Sequence, residues 1–145
     1  METLVNISKV LGGKKCLGRA VSTPADFDEI IREGIPFECA SHAQTALSLN
    51  DSLLASALSL SRRSLVRLRK ANKRLSLTAS DRLFRVVRLF AFAAEVLEGS
   101  DQAQKWLTSP QVGLGGRVPL EFLETEVGTR EVEALLGRIE YGVLA

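Results

Sequence analysis

Cysteine and histidine are scarce in this chain of 145 residues, which holds two of the first and one of the second. Cys16 and Cys39 stand far apart without paired spacing, so neither a disulfide framework nor a zinc motif is written along the sequence. Cys39 is expected as a small core residue. His42 lies in an Ala/Ser/Thr-rich, helical-looking stretch and reads as an exposed or satisfied helix histidine rather than a general base. Long apolar runs are also lacking. Phe84–Leu97 comes nearest and is interrupted by Arg85, Arg88 and Glu95, well short of the roughly 18 residues that span a bilayer. No compact apolar segment with a cleavage site opens the chain, so secretion is not expected and a soluble, cytoplasmic protein without membrane contact is. A phosphate loop is missing too, because Gly113-Leu114-Gly115-Gly116 runs into Arg117-Val118-Pro119 instead of Lys-Ser/Thr, and it reads as a turn. With no paired carboxylates, nucleophile–base set or metal cluster legible, an enzyme is disfavoured, and no catalytic residue, cofactor or metal is expected.

What the chain does have is enough apolar material for a core, 46% hydrophobic against 25% charged residues. Its net charge of +2 hides a strong partition. Residues 1–51 carry 5 Lys/Arg and 7 Asp/Glu; residues 52–88 carry 10 Lys/Arg and only Asp81; residues 89–145 carry 4 Lys/Arg and 9 Asp/Glu. A basic middle between acidic flanks implies two binding surfaces, one of them for a polyanion.

Periodicity is helical almost throughout, and β signals are weak. Ser22 or Thr23 can cap a helix that opens on Pro24 and presents Phe27, Ile30 and Ile31, with Gly34 and Pro36 as stops. A second helix is expected over about Phe37–Leu47. Asn50 or Asp51 caps a third, with Leu53, Leu54, Ala57 and Leu58 on one face. The first twenty residues are compatible with a short hairpin or a partly ordered arm.

Asp51–Arg74 is the most informative stretch. A short apolar helix ends near Leu58, Ser59-Leu60-Ser61 can turn the chain, and Ser61 caps Arg62-Arg63-Ser64-Leu65-Val66-Arg67-Leu68-Arg69-Lys70. Leu65, Leu68 and Leu75 are expected to face inward. Arg63, Arg67, Lys70 and Arg74 recur at i, i+4, i+7 and i+11, a continuous cationic stripe if the helix runs that far, with Arg62, Arg69 and Lys73 beside it. Two short helices joined by a tight turn, the second basic, form a helix-turn-helix arrangement that places the second helix in the major groove. Ser61, Arg62, Arg63, Ser64, Arg67, Lys70, Lys73 and Arg74 are therefore the expected DNA-binding residues. Arginines suit guanine acceptors, and the trailing cations suit phosphates. Arg82, Arg85 and Arg88 either extend this surface or pair with acidic segments.

The next helix has a capping-box-like start at Thr78-Ala79-Ser80-Asp81 and is apolar on so many sides through Leu97 that it must be buried on more than one, as a spine or a dimer interface. Ser100-Asp101 opens another helix, with Trp106 as a core residue, and Pro119 starts a short one. Thr125 caps the last, whose stripe is Val132, Leu135, Leu136, Ile139 and Val143. Gly137 interrupts that helix at a cost of about 1 kcal/mol relative to Ala, for which close approach of another backbone or a partner is the expected compensation. Gly142 can supply a left-handed cap.

The segments Trp106-Leu107, Leu114-Gly115-Gly116-Arg117-Val118-Pro119-Leu120, Leu123-Glu124-Thr125-Glu126-Val127-Gly128 and Val132–Gly142, in this order and spacing, resemble the toxin-binding domain of the Xre/MbcA/ParS antitoxins. Upstream, Ile30–Pro36 and Leu54–Leu65 resemble the family's Xre-like helix-turn-helix half. The resemblance implies an all-α fold in which an N-terminal Xre-like helix-turn-helix half, residues 1–76, packs with a C-terminal helical toxin-binding half, residues 77–145. It implies an antitoxin of a bacterial type II toxin–antitoxin system. Such a protein binds over the active site of a RES-domain toxin that consumes NAD or ADP-ribosylates, and represses its own operon on operator DNA. A homodimer, and a hetero-oligomer with toxin, are the implied assemblies. Carried onto this chain, the toxin-binding surface comprises Gly137, Arg138, Glu140, Tyr141, Gly142, Val143, Leu144 and Ala145. The alternative is a free-standing helix-turn-helix regulator whose C-terminal half dimerises or binds another protein.

Overall fold

The structure, a computed structural model, describes residues 2–142, so Val143, Leu144 and Ala145 of the expected toxin-binding surface lie outside the described residues. Ten α-helices make up the described chain, and its only β features there are two isolated bridges. The N-terminal half holds α1 (Glu2–Val10), α2 (Gly13–Leu17), α3 (Pro24–Glu33), α4 (Phe37–Leu47), α5 (Asp51–Ala57) and α6 (Arg62–Ala71). The long α7 (Leu77–Val96) comes next, then α8 (Ser100–Leu107), a 3-10 turn at Val112–Leu114, α9 (Pro119–Phe122) and α10 (Glu126–Glu140).

Local chemistry sets most boundaries. Thr23 and Asp26 form a reciprocal capping box at α3, with Pro24 in the first turn. The side chains of Asn50, Ser61 and Thr125 accept from the backbone N–H three residues on and so start α5, α6 and α10. The start of α7 differs from expectation: Ser76, not the Thr78–Asp81 segment, caps it by accepting from the Ala79 N–H. Ser80 is instead fully buried, and its Oγ accepts the Ile35 N–H at 2.8 Å. This bond belongs to the seam where Ile35–Phe37 runs antiparallel to Lys73–Leu75, with Leu75 N donating to Ile35 O at 2.8 Å. Gly34 makes the seam possible. Its φ is 98°, and a Cβ there would lie 2.5 Å from the Leu75 carbonyl oxygen.

The first twenty residues contain two helices rather than a hairpin or a loose arm. Leu4, Ile7 and Leu11 stand at i, i+3 and i+7, and Ile7, Leu11 and Leu17 are buried in the core.

Two hydrophobic clusters meet along α7. Ala79, Leu83, Val87 and Ala91 recur every fourth residue and join the cluster of α1–α6. Val86, Leu89, Phe90 and Ala93 occupy another side and join the cluster built from α8, α9 and α10. This is the physical reason for the helix being apolar on several sides, and it corrects one expectation: α1, α3, α8 and α10 of the same chain pack on α7, so its breadth no longer argues for a dimer interface. Trp106 packs partly buried against the second cluster.

Candidate functional site

Charge and geometry single out the α5–α6 pair. Leu54, Ala55 and Leu58 anchor α5 in the core, and Leu65 anchors α6. Between them Ser59 turns the chain at φ 56°, and Leu60 N donates to Ala55 O at 2.8 Å. Ser61 then accepts from the Ser64 N–H at 3.0 Å, while its hydroxyl donates to the Ser64 hydroxyl at 3.0 Å. Both serines therefore hold the helix start, which presents Arg62 and Arg63. Leu53 does not share the inward face as expected; it is 40% exposed and lines an apolar hollow with Ala57, Val118, Leu120 and Leu123.

The ten cations of the basic middle divide into two sets. Arg62, Arg63, Arg67 and Lys70 are exposed on α6, and none makes an ion pair among the described residues. Arg69 is held by the protein itself. Its guanidinium donates to both oxygens of Asp51 at 2.8 and 3.0 Å and to Gln44 at 3.3 Å, and it stacks 5.6 Å from the Phe37 ring centroid. That fork, with the Gln44 amide beside it, pulls the Asp51 carboxyl down to about 2.

The stripe is shorter than its spacing promised. Helix α6 ends at Ala71, and Asn72 takes a left-handed conformation at φ 49° that turns the chain away. Arg74 consequently leaves the stripe; it lies in the seam, where its Nη1 donates to the Gly34 carbonyl at 2.8 Å. Lys73 lies beyond the helix as well, its carbonyl accepting from Phe37 N at 3.1 Å while its side chain stays exposed.

Arg82, Arg85 and Arg88 take the pairing option. From α7, Arg82 donates to the Glu124 carbonyl at 2.8 Å and Arg85 to the Leu123 carbonyl at 3.1 Å. These carbonyls lie just past the end of α9, where no intrahelical partner exists for them. Arg88 meets Glu133 of α10 at 2.8 Å, and Arg85 lies 3.9 Å from Glu126. The cations thus clamp the C-terminal helices to α7.

On the C-terminal half, α10 buries Val132, Leu135 and Leu136 and leaves Arg138, Glu140 and Tyr141 exposed at its end, Tyr141 by 82%. Gly142 comes next with φ 73°. Gly137 answers one arm of its expectation: among the described residues nothing lies within 4 Å of a Cβ placed there, so no described backbone explains that glycine. Val112 is also open, 90% exposed at the tip of the 3-10 turn, where Arg117 stacks 4.4 Å over Phe122. Sequence spacing carried no signal for Val112, which sits in a loop without periodicity.

Comparison with known proteins finds two family models on the chain. Residues 26–88 match the antitoxin Xre-like helix-turn-helix domain, and residues 92–142 match the antitoxin Xre/MbcA/ParS C-terminal toxin-binding domain. Among curated relatives, the chain is similar to Antitoxin Xre of Yersinia enterocolitica, 31% identical over 136 residues covering 90% of this chain and 92% of that protein. It is 27% identical to Antitoxin Xre of Photorhabdus laumondii, over 90% of this chain and 89% of the relative. It is 26% identical to the Prs ADP-ribosylating antitoxin of a Sphingobium species, over 90% and 87% of the two chains.

Proposed function

The chain belongs to the Xre antitoxin family, and we propose that it neutralises a RES-domain toxin by binding over its active site while repressing their shared operon through operator DNA. The observation that carries the DNA reading is the division of the basic residues. Arg69, Arg74, Arg82, Arg85 and Arg88 each donate to a partner within the protein, whereas Arg62, Arg63, Arg67 and Lys70 stand exposed and without an ion pair among the described residues on the second helix of a helix-turn-helix pair. A ten-residue helix is about 15 Å long, long enough to enter a major groove and reach both base edges and phosphates.

DNA contact falls to residues 1–76, where Ser61 and Ser64 order the helix start, Arg62, Arg63 and Arg67 reach the operator, and Lys70 and Lys73 neutralise phosphate. Arg74 has a structural part in the seam instead. Toxin contact falls to residues 77–145, with Arg138, Glu140 and Tyr141 at the end of α10 and the segment from Gly142 to Ala145 as its centre. An exposed aromatic suits the core of a protein interface, and the charged side chains beside it suit its polar rim. Gly137, unobstructed by the described residues, leaves room for a partner's backbone.

The chain works without catalysis or cofactor, as a cytoplasmic homodimer that assembles with toxin into a hetero-oligomer. Two-fold operators require two-fold protein symmetry. The name of the Sphingobium relative supports ADP-ribosylation as the toxin's chemistry. No described helix is long and apolar enough to cross a membrane.

Co-expression of the tagged chain with a RES-domain toxin encoded beside it tests the reading. Co-purification of a complex in which the toxin's NAD turnover is abolished is expected. A chain that binds its promoter yet neither captures nor inhibits the toxin would make it a free-standing regulator.

A further inference from the structure

The fold assembles a group of side chains that the sequence spacing kept apart. Cys16 of α2 and Glu38 and His42 of α4 each offer one ligand atom, and these three atoms all lie within 4.8 Å of one another. Glu38 and His42 stand at i and i+4, so they project from one face of α4 a turn apart. Cys16 meets them from α2, and Gly12 permits the approach: a Cβ there would lie 2.7 Å from Cys16 Cβ and 2.7 Å from His42 Cδ2. Cys39, fully buried, follows Glu38 on α4. The group is open to solvent, because Glu38 and His42 are exposed and border a shallow depression with Lys9 and Ser41.

We propose that Cys16, Glu38 and His42 form a binding site for one zinc ion. Thiolate, imidazole and carboxylate all ligate zinc, at about 2.0–2.3 Å, so ligand atoms around one ion stand roughly 3.5 Å apart. Small side-chain rotations bring the three from their present spacing to that one. The mixed sulfur, nitrogen and oxygen set selects zinc over calcium and magnesium, which take oxygen ligands. Water completes the tetrahedron. The ion ties α2 to α4, and α4 also carries the Gln44 that helps seat Arg69 of α6. Zinc therefore steadies the helix-turn-helix half without touching its cationic face. No zinc motif is visible in the sequence because two ligands are one helical turn apart on α4 and the third comes from another helix.

The test uses the full-length protein, reduced, stripped with a chelator and titrated with zinc against a chromogenic competitor. One zinc per chain is expected, with a melting temperature that rises with zinc. Cys16→Ser, Glu38→Gln and His42→Gln should each weaken binding at least tenfold with an unchanged circular dichroism spectrum, and Cys39→Ala should keep the one-to-one stoichiometry. Cobalt loading of the unmodified protein should give a thiolate-to-metal charge-transfer band, a readout independent of how any variant folds. Absence of that band, or zinc affinity in Cys16→Ser and His42→Gln unchanged from that of the unmodified protein, would overturn the site.

Discussion

At the scale of single residues, two serines carry structural roles that their ordinary chemistry hides. Ser80 is 0% exposed, and its hydroxyl is the acceptor for the buried Ile35 N–H. Removing that oxygen leaves a donor without a partner, which costs about 1–3 kcal/mol. Ser80→Ala is therefore expected to lower stability by about that amount in urea unfolding, with the slope against denaturant unchanged. Ser59 holds φ 56° in the turn between α5 and α6, a conformation that disfavours any residue with a Cβ. Glycine relieves that strain, while the freedom it adds to the unfolded chain offsets part of the gain. Ser59→Gly should stabilise the protein by about 0.5–1 kcal/mol and leave operator affinity intact; a loss of stability would show that the Ser59 side chain matters beyond the backbone.

At the scale of elements, α6 has one face held by the protein and another left free, the face proposed for DNA. Arg63 and Arg67 lie on the free face. A variant carrying Arg63→Ala and Arg67→Ala should fold normally and bind its operator more weakly. Each lost phosphate contact flattens the salt dependence by about one unit of slope, and each lost base contact costs roughly 1–3 kcal/mol and relaxes specificity. Unchanged affinity and slope in a binding titration across salt concentrations would remove α6 from the interface. The other face is tested by acid. Asp51 has its carboxyl pulled down to about 2 by Arg69 and Gln44, against an ordinary value of about 3.9. A depressed folded-state value means that the pair's contribution to stability is complete above about pH 4 and is lost as the pH falls toward 2. In Arg69→Met the Asp51 carboxyl, still bonded by the Gln44 amide, should titrate nearer its ordinary value by NMR, and this α5–α6 contact should lose most of its acid sensitivity.

At the scale of the whole molecule, the two clusters that meet on α7 allow the C-terminal end to be altered without loss of the fold. Deleting residues 141–145 removes the exposed Tyr141 and the rest of the C-terminus, while Val132, Leu135 and Leu136 still bury the helix. An aromatic anchor at an interface centre contributes about 2 kcal/mol or more, roughly thirtyfold in affinity. The truncated protein should keep its operator affinity and melting temperature while its toxin affinity, measured by calorimetry, falls at least about thirtyfold. Full affinity would move the toxin surface to the Gly113–Leu123 loop and helix, where Val112 stands open beside it.

The sequence by itself determined what depends on neighbours along the chain. Caps at Ser22 or Thr23, Asn50 or Asp51, Ser61 and Thr125, the stops at Gly34 and Pro36, and apolar spacing at about 3.6 residues act within a turn or two, so the all-α class and the helix-turn-helix pair were legible there. So was the need of α7 for partners on several sides. Which partners was not legible, because apolar spacing records that a face is buried but not against what. Tertiary structure alone decided which cations stay free: Arg69 and Lys70 are adjacent in sequence, yet only Arg69 faces Asp51, whose position depends on how α5 crosses α6. It also decided the place of Arg74, since the Asn72 turn sends the chain into a seam with Gly34–Phe37, some forty residues upstream. Cys16, Glu38 and His42 converge for the same reason. Contacts between residues distant in sequence depend on how helices pack, and no local period encodes them.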